Sequence, residues 1–193
     1  MQKLQNIKIN TGDIVVDCGA NVGIVTAHFA EMGATVHAFE PNPHAFEVLQ
    51  SRFSQNRNVH CYNQAVGTKK SEKKMKLFLH EWADLNQLKY STGCSLVRDK
   101  VNVNENDYIT VDVIVLSEFL KGLNGLPTVL KIDVEGYEVE LLNELIDEKC
   151  LINIPHVLVE THEKKVPSLR ESMPILRKRI EENKLQNVDL DWI

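Results

Sequence analysis

The chain has 193 residues, 43% apolar and 25% charged, which is the composition of an ordinary globular protein, and we expect one domain over residues 1–193. Its 22 basic and 27 acidic residues give a net charge of −5, which argues against nucleic-acid or membrane partners because both need a basic surface. The four cysteines lack the spacing of a zinc site or a disulfide framework, so we expect free thiols. The sequence shows neither a signal peptide nor an apolar run near the ~20 residues of a membrane span, so we expect a cytoplasmic protein.

The spacing of apolar residues predicts alternating strands and helices. Strands are predicted at 14–18, 35–40, 59–64, 75–80, 128–133, 156–162 and 187–193, and helices at 21–32, 42–55, 113–121, 136–148 and 168–184. This alternation predicts an α/β fold, with a doubly wound, Rossmann-like, mostly parallel sheet and helices on both faces. The least regular segment, residues 81–110, is predicted to be a substrate-side loop near the carboxyl edge of the sheet.

The first predicted strand runs into a glycine turn, IVVDCGANVG at 14–23. A tight turn before a helix presents free backbone N–H groups and a positive dipole end, which suits a carboxylate or phosphate. Asp17 would repel a dinucleotide's pyrophosphate but attract an ammonium or sulfonium group. Gly19, Asn21 and Gly23 also lack the G-x-G-x-x-G spacing, and Asn21 is expected to cap the helix. S-adenosylmethionine fits these features, and a purely structural turn is the alternative.

The second predicted strand, TVHAFE at 35–40, ends on Glu40. In mononucleotide-binding folds an acid about 20 residues after the glycine turn accepts hydrogen bonds from the ribose hydroxyls. Asn42 and Pro43 then suit the N-cap and first position of the next helix. We therefore predict that Glu40 binds the ribose, the alternative being a solvated strand-end glutamate.

A second group of ionisable residues lies in VLKIDVEGYE at 129–138. In a doubly wound sheet this strand should border the first, so Asp133 and Glu135 are expected to face the cofactor turn where the strand order reverses. Lys131, Asp133 and Glu135 are costly to bury unless they are paired or functional. We interpret these three residues as catalytic, and a buried ion pair between Lys131 and Glu135 is the alternative.

The next strand, in HVLVETHE at 156–163, brings Glu160 and His162 to the same edge. Two residues apart on an extended strand, they share a face and can point at one pocket. His162 is a candidate general base, or else a hydrogen-bonded structural histidine. With Asp133 and Glu135 these residues could hold a divalent metal, but their spacing matches no standard ligand motif, so no metal is predicted.

Taken in order, the motifs resemble the FkbM family of S-adenosylmethionine-dependent methyltransferases over residues 10–165; they are DCGANVG, FEPNP, NQAVG, GCSL, TVD, KIDVEGYE and LVETH. The resemblance implies a class I methyltransferase fold that methylates a hydroxyl of a sugar or small metabolite. The residues it implies around the cofactor are Asp17, Gly19, Ala20, Asn21 and Gly23 at the methionyl part, Glu40 and Pro41 at the ribose, Ala65 and Val66 beside adenine, and Asp133 toward the acceptor. The catalytic candidates are Lys131, Asp133, Glu135, Glu160 and His162.

Two features depart from the family pattern. Cys94 stands where the family tends to carry a serine beside Ser95. The chain also stops at Trp192 and Ile193, short of the antiparallel strand pair that ends the class I fold. We therefore expect an acceptor pocket that is open, completed by another subunit of a homo-oligomer, or trimmed.

Three other functions compete with this one. Asp17 and the glycine spacing oppose a nicotinamide-dependent oxidoreductase. The lysine cluster at 69–76 leaves an RNA methyltransferase open, although a solvated hairpin edge is the favoured interpretation of those lysines. A non-catalytic nucleotide or S-adenosylmethionine-binding module is the third alternative, and the acids at 133, 135 and 160 argue against it.

Overall fold

The computed structural model describes residues 4, 6–82 and 93–192. The strands are β1 Ile14–Cys18, β2 Thr35–Phe39, β3 Val59–Tyr62, β4 Ala65–Gly67, β5 Lys74–His80, β6 Val103–Val115, β7 Val129–Ile132, β8 His156–Val159 and β9 Val188–Asp189. The helices are α1 Ile24–Glu31, α2 Pro43–Phe53, α3 Leu116–Gly122, α4 Glu138–Asp147 and α5 Leu169–Glu182.

Six strands form one sheet in the order β3-β2-β1-β7-β8-β9, and their pairings are parallel. Strand β7 borders β1, as the sequence predicted, and the register places Asp17 opposite Lys131. The chain moves from β1 toward β2 on one side and from β7 toward β8 on the other, so the strand order reverses between β1 and β7. In such sheets the carboxyl ends of the strands at the reversal open a ligand crevice. The predicted doubly wound α/β architecture is confirmed.

Helices cover both faces of this sheet. Val15 and Val129 belong to a buried cluster that includes residues of α1 and α2, whereas Val16 and Leu130 belong to one that includes residues of α4 and α5. Neighbouring residues of a strand point to opposite faces, so the two clusters lie on opposite sides. These four side chains are fully buried, and burial of each stabilises the fold by about 1.5–3 kcal/mol. The carboxyl ends of β1 and β7, which carry the site, therefore follow directly from the buried centre of the sheet.

Three strands form a second sheet in the order β4-β6-β5, with β6 antiparallel to β5. The predicted helix 113–121 begins only at Leu116 because β6 continues to Val115, and residues 103–110 of the predicted loop are strand. Asn, Asp and Glu are depleted in strands, which hid β6 in the sequence. It forms nevertheless because it pairs with the apolar strand β5 while its polar side chains stay exposed. Residues 83–92 of the predicted loop lie outside the described residues.

The other predicted elements differ mainly at their ends. The strand expected at 59–64 ends at Tyr62, and β4 at Ala65–Gly67 is a separate strand that was not predicted. The last strand is Val188–Asp189, and β8 ends at Val159, short of Glu160. The lysine cluster leads into β5, which is an edge strand of the second sheet. The four cysteines are free thiols, as expected. In the described parts of the chain, no helix combines the length and apolar character needed to cross a membrane.

Candidate active site

A cavity with about 640 Å³ of empty space, part of it open to solvent, lies at the carboxyl ends of β1, β2 and β7. The predicted site residues that line it are Gly19, Asn21, Glu40, Pro41, Ala65, Val66, Asp133 and Glu135. The structure therefore brings together residues that are more than 100 positions apart in the chain.

The glycine turn after β1 forms one wall of the cavity. Gly19 has φ +81°, and a Cβ atom there would lie 1.8 Å from the carbonyl oxygen of Asp133. This close approach of two backbones leaves no room for a side chain at residue 19. Helix α1 begins after Gly23 with no side-chain cap, so the expected capping role of Asn21 is wrong; its side chain accepts instead from the N–H of Val22 at 2.8 Å.

The N–H groups of the turn are engaged within the protein. Those of Gly19 and Ala20 donate to Phe39 O at 3.0 and 2.9 Å, and that of Gly23 donates to Ala20 O at 2.8 Å. The N–H of Asn21 donates to Glu40 Oε2 at 2.8 Å. The turn thus offers a ligand a shaped backbone surface, and the expectation of free N–H donors across the turn is wrong for these residues.

Asp17 and Lys131 lie beneath the turn. Asp17 is fully buried and accepts a hydrogen bond from Thr26 Oγ1 at 2.7 Å, while Lys131 Nζ lies 3.1 Å from Asp17 Oδ1. Lys131 Nζ also donates to Gly19 O at 2.6 Å and lies 3.5 Å from Asp133 Oδ2. Burial disfavours its charge, but the carboxylates of Asp17 and Asp133 raise the pKa of Lys131. Its partners are these two acids, so the alternative of a Lys131–Glu135 ion pair is wrong.

Glu40 joins two loops at the cavity. Its Oε2 accepts from the N–H of Asn21 and its Oε1 from the N–H of Asn42, both at 2.8 Å. Each carboxylate oxygen can accept a further hydrogen bond. Burial raises the pKa of Glu40 to about 7 against the lowering effect of the two N–H donors. Asn42 caps α2 as predicted, because its Oδ1 accepts from the N–H groups of His44 and Ala45.

The predicted catalytic acids and histidine converge beside Asp133. His162 Nε2 lies 3.0 Å from Glu135 Oε2, 3.6 Å from Glu160 Oε1 and 3.9 Å from Asp133 Oδ1. We call these four residues the acid–histidine cluster. Its histidine is buried, whereas each carboxylate is about one quarter exposed. Asp133 and Glu135 reach the cavity wall, and Glu160 and His162 stand behind them.

Charge within the cluster is strongly coupled. Burial disfavours the imidazolium, but contact with Glu135 and Glu138 raises the pKa of His162 to about 10. Burial likewise opposes the charge on Glu135, yet His162 and Lys100 lower its pKa to about 2. Burial and the neighbouring Asp133 raise the pKa of Glu160. With these values and no bound ligand, His162 is charged near neutral pH, so the carboxylates are the groups able to take a proton.

Two residues to which the sequence analysis gave no role, Lys100 and Ser95, hold Glu135 in place. Lys100, 2% exposed, donates to Gly93 O and to Glu135 Oε2, both at 2.6 Å. Ser95 Oγ donates to the backbone oxygen of Glu135, also at 2.6 Å. A lysine in a polar segment 35 positions away carries no sequence signal for this pairing. The cavity wall also includes residues that were not predicted, namely Phe39, Gln64, Leu77, Gly93, Cys94, Leu96 and Val134.

Comparison with known proteins agrees with this architecture. A family model described as the methyltransferase FkbM domain matches residues 17–184. The protein named Methyltransferase 1 of Beauveria bassiana (strain ARSEF 2860) is 28% identical over 158 residues, which cover 76% of this chain and 63% of that protein. The 31-O-demethyl-FK506 methyltransferase FkbM of Streptomyces tacrolimicus is 42% identical over 53 residues, which cover 26% of this chain and 20% of that protein. The chain therefore spans less than two thirds of the length of these relatives.

Proposed function

The chain belongs to the FkbM methyltransferase domain family, and we propose that it uses S-adenosylmethionine to methylate a hydroxyl group of a sugar or other small metabolite. The observation that carries the proposal is the cavity where the strand order reverses. It is lined together by the glycine turn, by Glu40, and by Asp133 and Glu135. The name of the Streptomyces tacrolimicus relative, 31-O-demethyl-FK506 methyltransferase, gives an O-demethylated compound as its substrate, which supports an oxygen acceptor.

The cavity residues suit the parts of this cofactor. Glu40 would hold the ribose, because its two oxygens can accept from a pair of vicinal hydroxyls while keeping their backbone partners. Phe39, Ala65 and Val66 offer an apolar surface to the adenine. The turn would hold the methionyl part, because Gly19 and Asn21 line the cavity. S-adenosylmethionine, when bound, supplies an electrophilic methyl group.

Asp17 would act indirectly in this arrangement. It is fully buried against Thr26 and Lys131, so we propose that it fixes the turn from below through Lys131. We propose the same indirect role for Ala20, Gly23 and Lys131, which do not line the cavity either. The cofactor-facing residues are then those on the cavity wall.

The acid–histidine cluster would prepare the acceptor. A hydroxyl placed at the cavity wall beside Asp133 loses its proton to a carboxylate of the cluster, and a positioned base of this kind accelerates a reaction by about 10²- to 10⁴-fold. Lys100 and His162 keep Glu135 ionised. Holding the acceptor oxygen in line with the methyl group would be the second contribution of the site.

An RNA acceptor receives little support from the lysine cluster. Lys69 lies 2.7 Å from Glu148, and Lys74 lies 2.7 Å from Asp112. Lys76 Nζ lies over the ring of Tyr108, 3.9 Å from its centre. These lysines already have partners within the protein, and the net charge of −5 offers no basic track for a phosphate backbone. A small acceptor without nucleic acid or membrane remains our proposal, and assembly into a homo-oligomer remains a prediction.

Calorimetric titration with S-adenosylhomocysteine, the demethylated cofactor, tests the proposal. We expect wild-type protein to bind it and Glu40→Ala to weaken binding by about 10- to 150-fold, the loss of hydrogen bonds to a charged group. Glu47→Ala, on helix α2 but outside the cavity wall, is the control and should bind as wild type. Absence of binding heat with wild type, or tighter binding of a nicotinamide dinucleotide, would contradict the proposal. Transfer of a labelled methyl group to a panel of sugars, small alcohols and RNA then identifies the acceptor class.

A further inference from the structure

Three side chains of the acid–histidine cluster present ligand atoms to one point. Asp133, Glu135 and His162 each offer a carboxylate oxygen or a ring nitrogen, and these atoms lie within 4.8 Å of one another. We propose that these three residues bind a divalent metal ion beside the acceptor cavity. Carboxylate oxygens suit Mn²⁺ and imidazole nitrogen suits Fe²⁺ and Zn²⁺, so this mixed donor set fits a divalent transition-metal ion.

Unsatisfied buried atoms provide an observation that is independent of the clustering. Among the described residues, His162 Nε2 and Asp133 Oδ1 are buried and have no hydrogen-bond partner. His162 is 2% exposed, and its Nε2 lies 3.0 Å from Glu135 Oε2 without the geometry of a hydrogen bond. Buried polar atoms in folded proteins are normally satisfied, and an ion is one of the partners that satisfies them. Both of these atoms border the same space, 3.9 Å apart.

Glu138 orients the histidine as metal sites require. It is fully buried, and its Oε1 lies 2.6 Å from His162 Nδ1 while accepting from the N–H of Gly136 at 2.9 Å. A carboxylate that accepts from one ring nitrogen leaves the other nitrogen as the ligand, and metal-binding histidines almost always have such a partner. The chain thus supplies both the ligands and the group that fixes their orientation.

The space between His162 Nε2 and the neighbouring carboxylates requires a positive charge. A neutral ring that donates from Nδ1 to Glu138 would turn the lone pair of Nε2 toward oxygens of Asp133, Glu135 and Glu160. Either a second proton on His162 or a metal ion removes this repulsion. In the ligand-free protein the proton on His162 meets this need, and a bound metal ion would replace that proton at Nε2.

The role of the ion rests on the proposed function. A metal ion at the cavity wall would bind the acceptor's hydroxyl oxygen, orient it and lower its pKa. Asp133 and Glu135 would then serve as ligands. The hydroxyl proton would pass to the carboxylate of Glu160, whose Oε1 lies 3.6 Å from His162 Nε2.

Titration of chelator-treated protein with Mn²⁺ tests the site, with free Mn²⁺ followed by electron paramagnetic resonance. We expect one Mn²⁺ per wild-type chain and at least about tenfold weaker binding in Asp133→Asn, Glu135→Gln and His162→Gln. Asp112→Asn, which alters an acid paired with Lys74 on the second sheet, should bind Mn²⁺ as wild type. Glu135→Gln is the variant to use if the buried histidine variant fails to fold.

The metal site and the proposed function can fail separately, because S-adenosylhomocysteine binding is measured on the same samples. Wild-type protein that binds the nucleoside but takes up no Mn²⁺ below about 1 mM would overturn the metal site alone. Mn²⁺ binding that is unchanged in all three variants would also overturn it, since the ion would then lie elsewhere. Binding of Mn²⁺ without the nucleoside would support the metal site and contradict the proposed cofactor.

Discussion

Replacing Lys131 by methionine removes the only cation that the described residues place beside the buried Asp17. The methionine side chain is similar in length, so the substitution tests charge more than volume. In wild type the ammonium lies 3.1 Å from Asp17 Oδ1 and donates to the backbone oxygen of Gly19 at 2.6 Å. In the variant Asp17 keeps the hydrogen bond from Thr26 and loses its charge partner.

The expected cost follows from the burial of the pair. Both side chains are at most 3% exposed, and breaking such a pair by removing one partner destabilises a protein by about 3–5 kcal/mol. In a chain of this length that corresponds to a fall of roughly 6–20 °C in Tm. Lys74→Met is the matched control, because Lys74 and Asp112 are more than half exposed and such surface pairs contribute about 0–1 kcal/mol.

Urea unfolding followed by circular dichroism measures the free energy of unfolding of each variant. The double variant Asp17→Asn with Lys131→Met removes both charges, and we expect it to be more stable than Lys131→Met alone. If Lys131→Met loses no more stability than Lys74→Met, or if the double variant loses the sum of both single changes, then the buried pair does not support the turn as we argue.

Two further predictions concern Glu40 and Lys100. The pKa of Glu40 is raised by burial from 4.5 to about 7 in the folded protein, so its contribution to stability is fully present below pH 4.5 and is lost as the pH rises through 7. Because the ionised form is the better acceptor, S-adenosylhomocysteine should bind more tightly at pH 8 than at pH 6, and calorimetry should show no such pH effect in Glu40→Gln if our reasoning holds. Lys100→Met removes the contacts with Gly93 and Glu135, so methyl transfer to an identified acceptor should slow while nucleoside binding stays within about twofold. Lys178→Met, an exposed change on α5, is its control, and equal rates in the two variants would refute a positioning role for Lys100.

The sequence contained enough information to predict the cavity because strand ends are local features. IVVDCGANVG and TVHAFE, which ends on Glu40, each show a strand pattern that stops at a polar residue. Parallel strands bring such ends to one edge of the sheet, so residues from distant segments could be assigned to one site. The convergence of Glu160 and His162 on Asp133 was predictable on the same argument, although both residues follow β8 rather than lie in it.

Two kinds of feature could not be predicted from the sequence: the face of the sheet to which a side chain points, and contacts with residues distant in the chain. Asp17 alternates with Val16 and Cys18, which places it on the α1 face with Val15. A pattern of period two does not tell which face a ligand will use. Lys100 is buried only because Glu135 and Gly93 O receive its charge. Strand β6 exists because β5 pairs with it, despite its polar composition.

The position of Glu40 has a consequence for the rigidity of the cavity. Its side chain binds the loop after β1 through Asn21 and the loop after β2 through Asn42, and its backbone oxygen accepts from Asn63, in the loop after β3. Three neighbouring loops thus meet at one residue and are ordered when the chain folds. A ligand entering this cavity finds the wall already assembled, so little of its binding energy is consumed in immobilising loops. Preorganisation of this kind lets a small nucleoside be held by few direct contacts.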